Sequence, residues 1–468
     1  MSERHSSPQP NVPGEGILAG YRPRFWAIVV AVGLIAGLGG AVLLVLLRLI
    51  ERAAFSYHSG DLLHGVQGAS AERRVLVLLA AGVVAGLGGL LVRSVRGSGA
   101  GEISEALWQG GARLAFWRSQ ARALLSIVIV ALGASLGREA APQLVGAASA
   151  SRLCEWGDLP AHQRQLLVAC GAGAGMAAVY NVPLGGALFA LEVLLGTLTL
   201  PLVLPALAAS LIATAVAWIV VPLGPTYQVP AYHVATSQVV WAAVIGPLAG
   251  LAAVAWVHAI ARVNERKPTG AGRVLAPIIV FVALGAVAIA YPQLLGNGKD
   301  IVQLAFTAKV GVATLAVLVI LKPLATAACL GTGAPGGLFT PTLAYGALLG
   351  ALLGAGWSSL WPGASAGSFA IIGGAAVLAA AMQGPLTAVV LVLELTQRSD
   401  SLMVPILLAV TGATVVARLI GGPSIYSARL GDSRAGAPSA AAPPATPSTS
   451  VDADDAGRGR LQRRRTRR

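Results

Sequence analysis

Residues 171–192 read GAGAGMAAVYNVPLGGALFALE, and residues 373–394 read GGAAVLAAAMQGPLTAVVLVLE. Aligned without a gap at an offset of 202, they share a glycine, three alanines, a Pro-Leu pair, a leucine and the closing glutamate. Pro183-Leu184 stands shortly before Glu192, and Pro385-Leu386 shortly before Glu394. A duplication this apolar, with one acid per copy, is the pattern of a membrane transporter. In such proteins two related bundles meet near the bilayer midplane and form an ion site between them. Two homologous halves are therefore expected.

Composition points the same way. The 468 residues are 56% hydrophobic and only 11% charged, with mean hydropathy +0.74, too little charge to cover a soluble globule. Long apolar runs fall near 26–50, 75–92, 121–136, 202–222, 239–261, 274–291 and 310–330. A hydrocarbon core of roughly 30 Å needs about 20 helical residues, so several of these runs can span it. The stretches 139–153, 183–196, 338–356 and 385–396 are shorter or are cut by glycine and proline. Broken helices are tolerated at membrane depth only where their free backbone groups are buried in protein or line a cavity. The site is expected there. The fold class that follows is an all-α polytopic membrane protein.

Residues 1–24 are polar, with no charged stretch leading into a short apolar core, and do not read as a cleaved signal peptide. Residues 25–430 form the membrane domain, with repeats over about 25–222 and 237–430. Residues 431–468 are rich in Ala, Pro, Ser and Thr and end in RGRLQRRRTRR, which reads as a disordered basic tail. The net charge is +14, but eight arginines sit in that tail beside four aspartates, and no nucleic-acid-binding fold accompanies them. The tail is read as an orientation and solubility feature, with contacts to anionic lipid headgroups as the alternative. By the positive-inside rule it lies in the cytoplasm; the expected location is the cell (inner) membrane, multi-pass, with both termini cytoplasmic.

Cys154, Cys170 and Cys329 are scattered, and the six histidines make no metal-binding spacing. No cofactor or metal is expected. No histidine base stands beside a serine nucleophile in the apolar core, so an enzyme is not expected either.

The chemistry is expected at glycine-rich breaks. Gly97-Ser98-Gly99-Ala100-Gly101-Glu102 precedes Gly137-Arg138-Glu139-Ala140-Ala141-Pro142 in the first half. In the second half Gly296-Asn297-Gly298-Lys299 precedes Gly333-Ala334-Pro335-Gly336-Gly337-Leu338-Phe339-Thr340-Pro341. The first pair begins 40 residues apart, and Gly296 to Gly337 spans 41. Helix-compatible sequence follows each break, which sets free N–H groups and about half a positive charge at a helix start. Glycine lets those amides approach an ion closely. Pro142 and Pro341 would fall in a first helical turn, where a missing N–H costs little. One break alone is equally well read as close helix packing; four in matched pairs favour an anion path.

These motifs resemble the CLC family of chloride channels and chloride/proton antiporters over roughly residues 20–430. The family signature GSGIPE is matched by GSGAGE (97–102), GREGP by GREAAP (137–142), and GxFxP by Gly337-Leu338-Phe339-Thr340-Pro341. The late tyrosine is matched in Ile425-Tyr426-Ser427-Ala428-Arg429-Leu430. The resemblance is to the bacterial type, without cytoplasmic nucleotide-binding domains. It implies a CLC-type inverted-topology repeat with broken and tilted helices, and a homodimer whose interface uses helices around 183–220 and 403–425.

By that resemblance the Ser98 hydroxyl, the Tyr426 phenol and the amides of Leu338 and Phe339 hold a central chloride. The amides of Arg138, Glu139 and Ala140 lie nearer the outside. Glu139 matches the family's gate, whose carboxylate occupies an anion position and swings away when protonated. The physics is consistent with this, since an anion site also accepts a carboxylate and an intramembrane acid is a functional candidate. Arg138 is expected to brace its break through carbonyl or carboxylate contacts. Glu192 and Glu394, at matching repeat positions, are read as helix-end contacts, with a proton relay as the alternative.

Three departures stand out. Many family antiporters carry an internal proton acceptor at the position after Glu192, though some exchange protons without one; this sequence has Val193, which cannot titrate. Ala140 replaces the glycine of GREGP and the proline arrives one residue late, while GSGAG lacks Ile-Pro. The leading expectation is passive chloride conduction, voltage- or pH-gated through Glu139. The alternatives are a chloride/proton antiporter whose proton route avoids Val193, or a CLC-type carrier for another anion such as fluoride or nitrate.

Overall fold

The computed structural model describes residues 21–95, 102–397 and 400–430. The first half comprises α1 (Pro23–Phe55), α2 (Leu62–Gly68), α3 (Ala71–Ser94), α4 (Ile103–Trp108), α5 (Phe116–Ala131), α6 (Ala140–Trp156), α7 (Ala161–Tyr180), α8 (Pro183–Leu188) and α9 (Leu200–Ala217). Just after α8 the winding loosens to a π-turn over Phe189–Leu195. The second half comprises α10 (Thr236–Glu265), α11 (Gly272–Ala290), α12 (Lys299–Phe306), α13 (Val312–Gly331), α14 (Phe339–Leu360), α15 (Ala366–Met382), α16 (Pro385–Thr396) and α17 (Met403–Leu419). Among the described residues, seven helices (α1, α3, α9, α10, α11, α13 and α14) are long and apolar enough to cross a membrane.

The duplication is visible in the packing. α6 lies on α7 as α14 lies on α15, α1 packs on α9 as α10 packs on α17, and α8 meets α16 across the halves. Small residues permit the two matched crossings. A Cβ on Gly146 or Gly171 would strike the other's carbonyl, and one on Gly350 or Gly373 would strike the facing helix backbone. Close backbone approach of this kind replaces the hydrophobic drive that lipid removes.

Helix ends repeat as well. α7 and α15 each stop on a residue in the left-handed region, Asn181 and Gln383, both at φ 58°. Two residues on, Pro183 and Pro385 open α8 and α16 at a first-turn position where no N–H is needed. Each repeat's glutamate then crosses to the other repeat. Glu192 accepts from the N–H of Leu386 (3.1 Å) and from the N–H and hydroxyl of Thr387 (both 2.6 Å). Glu394 accepts from the N–H groups of Leu184 (3.0 Å) and Gly185 (2.7 Å). Each acid thus satisfies the free amides at the start of the other half's short helix, the positive end of its dipole.

Two sequence expectations differ from the structure. The stretch 338–356 is not broken: α14 runs 22 residues through its glycines, because Gly346, Gly350 and Gly354 face α15 and are used for packing. The run 121–136 is not one span. α5 ends at Ala131, two residues before Gly133 at φ 100°. Helices α7, α15 and α17 were not among the apolar runs. The first two are buried inside the bundle and carry almost no amphipathic signal.

Candidate functional site

Two of the glycine-rich breaks meet. The N–H of Gly137 donates to the Gly337 carbonyl and the N–H of Gly337 donates to the Gly137 carbonyl, both at 2.8 Å. α6 starts at Ala140 and α14 at Phe339, with Pro142 and Pro341 each third in its helix. Two helix N-termini, one from each half, therefore begin side by side, and their unpaired amides make an anion-binding environment.

Glu139 fills that junction. Its side chain is buried, at 1% exposure, and Oε1 accepts the Phe339 N–H at 2.7 Å. Oε2 lies 3.2 Å from the Tyr180 hydroxyl and 3.4 Å from that of Thr340. A Cβ on either Gly137 or Gly337 would overlap the carboxylate, so only glycine leaves it room. Arg138 does not brace the break through a carboxylate: its guanidinium lies 4.9 Å over the Tyr180 ring, and its buried Nε has no hydrogen-bond partner among the described residues. That orphaned cationic donor sits beside a cavity and is suited to an anion.

Of the residues singled out from sequence, Glu139, Ala140, Leu338 and Tyr426 together line a pocket of about 30 Å³. The Tyr426 ring packs edge-on against Phe189 at 5.5 Å. Phe339 and Arg138 join through the contacts above. Ser98 lies outside the described residues. Val193 lies elsewhere, buried in the π-turn and packed on Gly384, and lines neither this pocket nor the larger cavities.

Cavities flank the junction. On the Arg138 side is one of about 430 Å³, lined by Arg48, Arg52, Arg138 and Lys299 against Glu51, Asp61 and Asp300, among others. Beyond Ala140 is one of about 70 Å³ whose lining includes Ser126, Gln143, Tyr426 and Arg429. Glu102 also lines it, paired with Arg122 and, at 3.3 Å, with Arg429. Of the other two breaks, Gly298-Lys299 lines the larger cavity, and Glu102, the described end of the 97–102 stretch, lines the smaller. In the loop after α10, burial pulls the Lys267 ammonium down to about 8, against the Glu102 carboxylate, which raises it.

Sequence reasoning missed Tyr180, Thr340 and Gln143. Thr340 sits within GLFTP and Tyr180 within the duplicated stretch, but only the stacking of α7 on α6 brings Tyr180 to Glu139.

The family described as voltage gated chloride channel matches residues 76–418. A ClcB-like chloride channel protein of Ralstonia nicotianae is 34% identical over 379 residues, covering 77% of this chain and 86% of that protein. A voltage-gated ClC-type chloride channel ClcB of Escherichia coli is 30% identical over 413 residues, covering 85% and 97%. Among solved structures, a slow cyanobacterial Cl⁻/H⁺ antiporter aligns with a TM-score of 0.76 at 23% identity, over 87% of this chain and 97% of that one. A CLC-type fluoride/proton antiporter aligns at 0.67 and 19%, over 86% and 97%. These likenesses give the same fold.

Proposed function

The chain belongs to the voltage-gated chloride channel family, and on that footing we propose that it passes chloride passively across the cell membrane through a path gated by Glu139. The observation that carries the reading is the buried Glu139 carboxylate accepting the Phe339 N–H where Gly137 meets Gly337. A site that accepts a carboxylate accepts a halide; while the carboxylate is ionised and seated, it takes the ion's place. Protonation halves the strength of its hydrogen bonds and frees the position.

In this reading chloride enters from the Arg138-side cavity, whose four basic side chains outnumber its three acids. It passes the amides of Arg138 and Ala140 and rests on those of Leu338 and Phe339 with the hydroxyls of Ser98 and Tyr426. Neutral donors of this kind bind a dehydrated anion and still release it. Val193 supplies no proton acceptor behind Glu192, which supports uncoupled conduction. The family resemblance extends the proposal to a homodimer in the inner membrane with cytoplasmic termini.

The test is coupling. Purified protein in liposomes is given a chloride gradient at equal pH, with the potential held near zero by potassium and valinomycin, while external pH is recorded. Chloride flux without proton movement is expected. Sustained uphill proton movement, absent from empty liposomes, would replace this reading with a chloride/proton antiporter.

A further inference from the structure

Two of the three groups touching the Glu139 carboxylate are hydroxyls that no part of the functional reading uses. Tyr180 Oη and Thr340 Oγ1 are 2.6 Å apart, and they lie 3.2 and 3.4 Å from the same oxygen, Oε2. Each hydroxyl has one proton to give, and an ionised carboxylate only accepts. The short contact and the shorter of the two carboxylate contacts are satisfied together in one order: Thr340 donates to Tyr180, and Tyr180 donates to Glu139. We propose that Tyr180 and Thr340 form a two-hydroxyl latch that holds the Glu139 carboxylate in its blocking position and sets the pH at which the path opens. The proposal rests on Glu139 being the gate.

The latch is held rigidly. The Tyr180 ring is buried, with the Arg138 guanidinium over it at 4.9 Å and the Phe339 ring 5.5 Å away. Its backbone carbonyl accepts the Thr226 hydroxyl at 2.7 Å. Thr340 is fully buried in the first turn of α14, where its backbone is fixed by the helix start that also presents the Phe339 N–H. The phenol therefore reaches Glu139 from α7 while Thr340 closes the chain from α14.

The fold does not require these hydroxyls. At the repeat offset of 202, the position of Tyr180 is taken in the second half by Met382, which is equally buried before the same left-handed cap. Across the Gly137–Gly337 pairing, the position of Thr340 corresponds to Ala140. The symmetry of the two halves thus breaks at the two residues that grip the acid.

The charged and titratable groups turned toward Glu139 are Arg138 beside it, Tyr180 from α7, Tyr227 from the segment before α10, and Tyr426 and Arg429 from the last described segment. None is an acid or a histidine, so Glu139 is the one carboxyl among them. A hydroxyl that donates to the ionised form loses much of its grip when the acid is protonated, because charge-assisted bonds are about twice as strong as neutral ones. Removing the donor weakens the blocking, ionised state, so the path should open at higher pH.

The experiment is chloride efflux from liposomes, measured as a function of pH, for the wild type, Tyr180→Phe, Thr340→Val and Thr340→Ser. Tyr180→Phe, which removes the donor to Glu139, is expected to move the pH of half-maximal flux upward by about one unit, a tenfold change in proton occupancy, and Thr340→Val, which removes the hydroxyl that orients that donor, to move it the same way by less. Thr340→Ser, which keeps the hydroxyl, should stay with the wild type, a pattern that lost packing would not give. Thr340→Val decides alone if Tyr180→Phe does not fold. In a Glu139→Gln background neither substitution should add a pH effect. Curves superimposable on the wild type, with pH dependence lost in Glu139→Gln, would overturn the latch and leave the gate. PH dependence that survives Glu139→Gln would remove the gate and the latch together.

Discussion

The crossed glutamates allow a structural role to be separated from a proton-carrying one. Replacing Glu192 by alanine leaves three donors without an acceptor: the N–H of Leu386 and the N–H and hydroxyl of Thr387. Thr387 is fully buried while Leu386 is half exposed, so water can replace the carboxylate at only one of them. Hydrogen bonds to charged groups contribute about 1.5–3 kcal/mol each and a partly buried helix-dipole contact up to about 2, neither fully additive. With two buried donors orphaned, Glu192→Ala should destabilise the protein by about 3–5 kcal/mol. Glu394→Ala frees two backbone donors, one of them on the half-exposed Leu184, and should cost less, about 1–3 kcal/mol. Thermal melts in detergent, followed by the loss of the monodisperse peak on size exclusion, give the order: wild type, then Glu394→Ala, then Glu192→Ala. The folded fraction of each variant should keep the pH dependence of chloride flux. A Glu192→Ala protein with wild-type melting and flattened pH dependence would refute the capping argument and make Glu192 a proton carrier.

Gly337→Ala should place a methyl where the Glu139 carboxylate sits, and so push it out of its position. The expected result is a protein that folds but conducts at neutral pH as it does in acid; wild-type pH dependence would mean the carboxylate is not confined at this junction. Lys322, buried in α13, donates to the carbonyls of Leu294 (3.0 Å) and Gly296 (3.0 Å). Lys322→Met should strand both carbonyls and lower stability by about 2–4 kcal/mol, read by the same melting assay. An unchanged melting profile would show that the 294–298 turn holds without it.

What the sequence carried well was whatever repeats or is punctuated. Pro183 and Pro385 mark the starts of α8 and α16, and the matched glutamates mark their reciprocal caps. Gly137 and Gly337 mark the two breaks that pair. Apolar length found most of the spans, but α15 and, from Leu166 on, α7 are buried on all sides, and glycine- and alanine-rich sequence gives such helices no contrast between faces. α14 was misread because glycines that serve packing look, in sequence, like glycines that end a helix. At the site, Glu139, Ala140, Leu338 and Tyr426 were legible through motifs that set their backbone. Tyr180 was not, because its reach to Glu139 depends on how α7 crosses α6, which no local spacing encodes. Arg138 was found but given the wrong partner: it stacks on that same tyrosine.

The most direct test of a glutamate-gated path is chloride efflux from liposomes containing Glu139→Gln, recorded across pH beside the wild type. Glutamine keeps the size of the side chain and removes its charge and its titration. The expected result is wild-type flux that rises as pH falls, and a Glu139→Gln protein that is open and insensitive to pH throughout. A Glu139→Gln protein that still follows the wild-type pH curve would contradict the account.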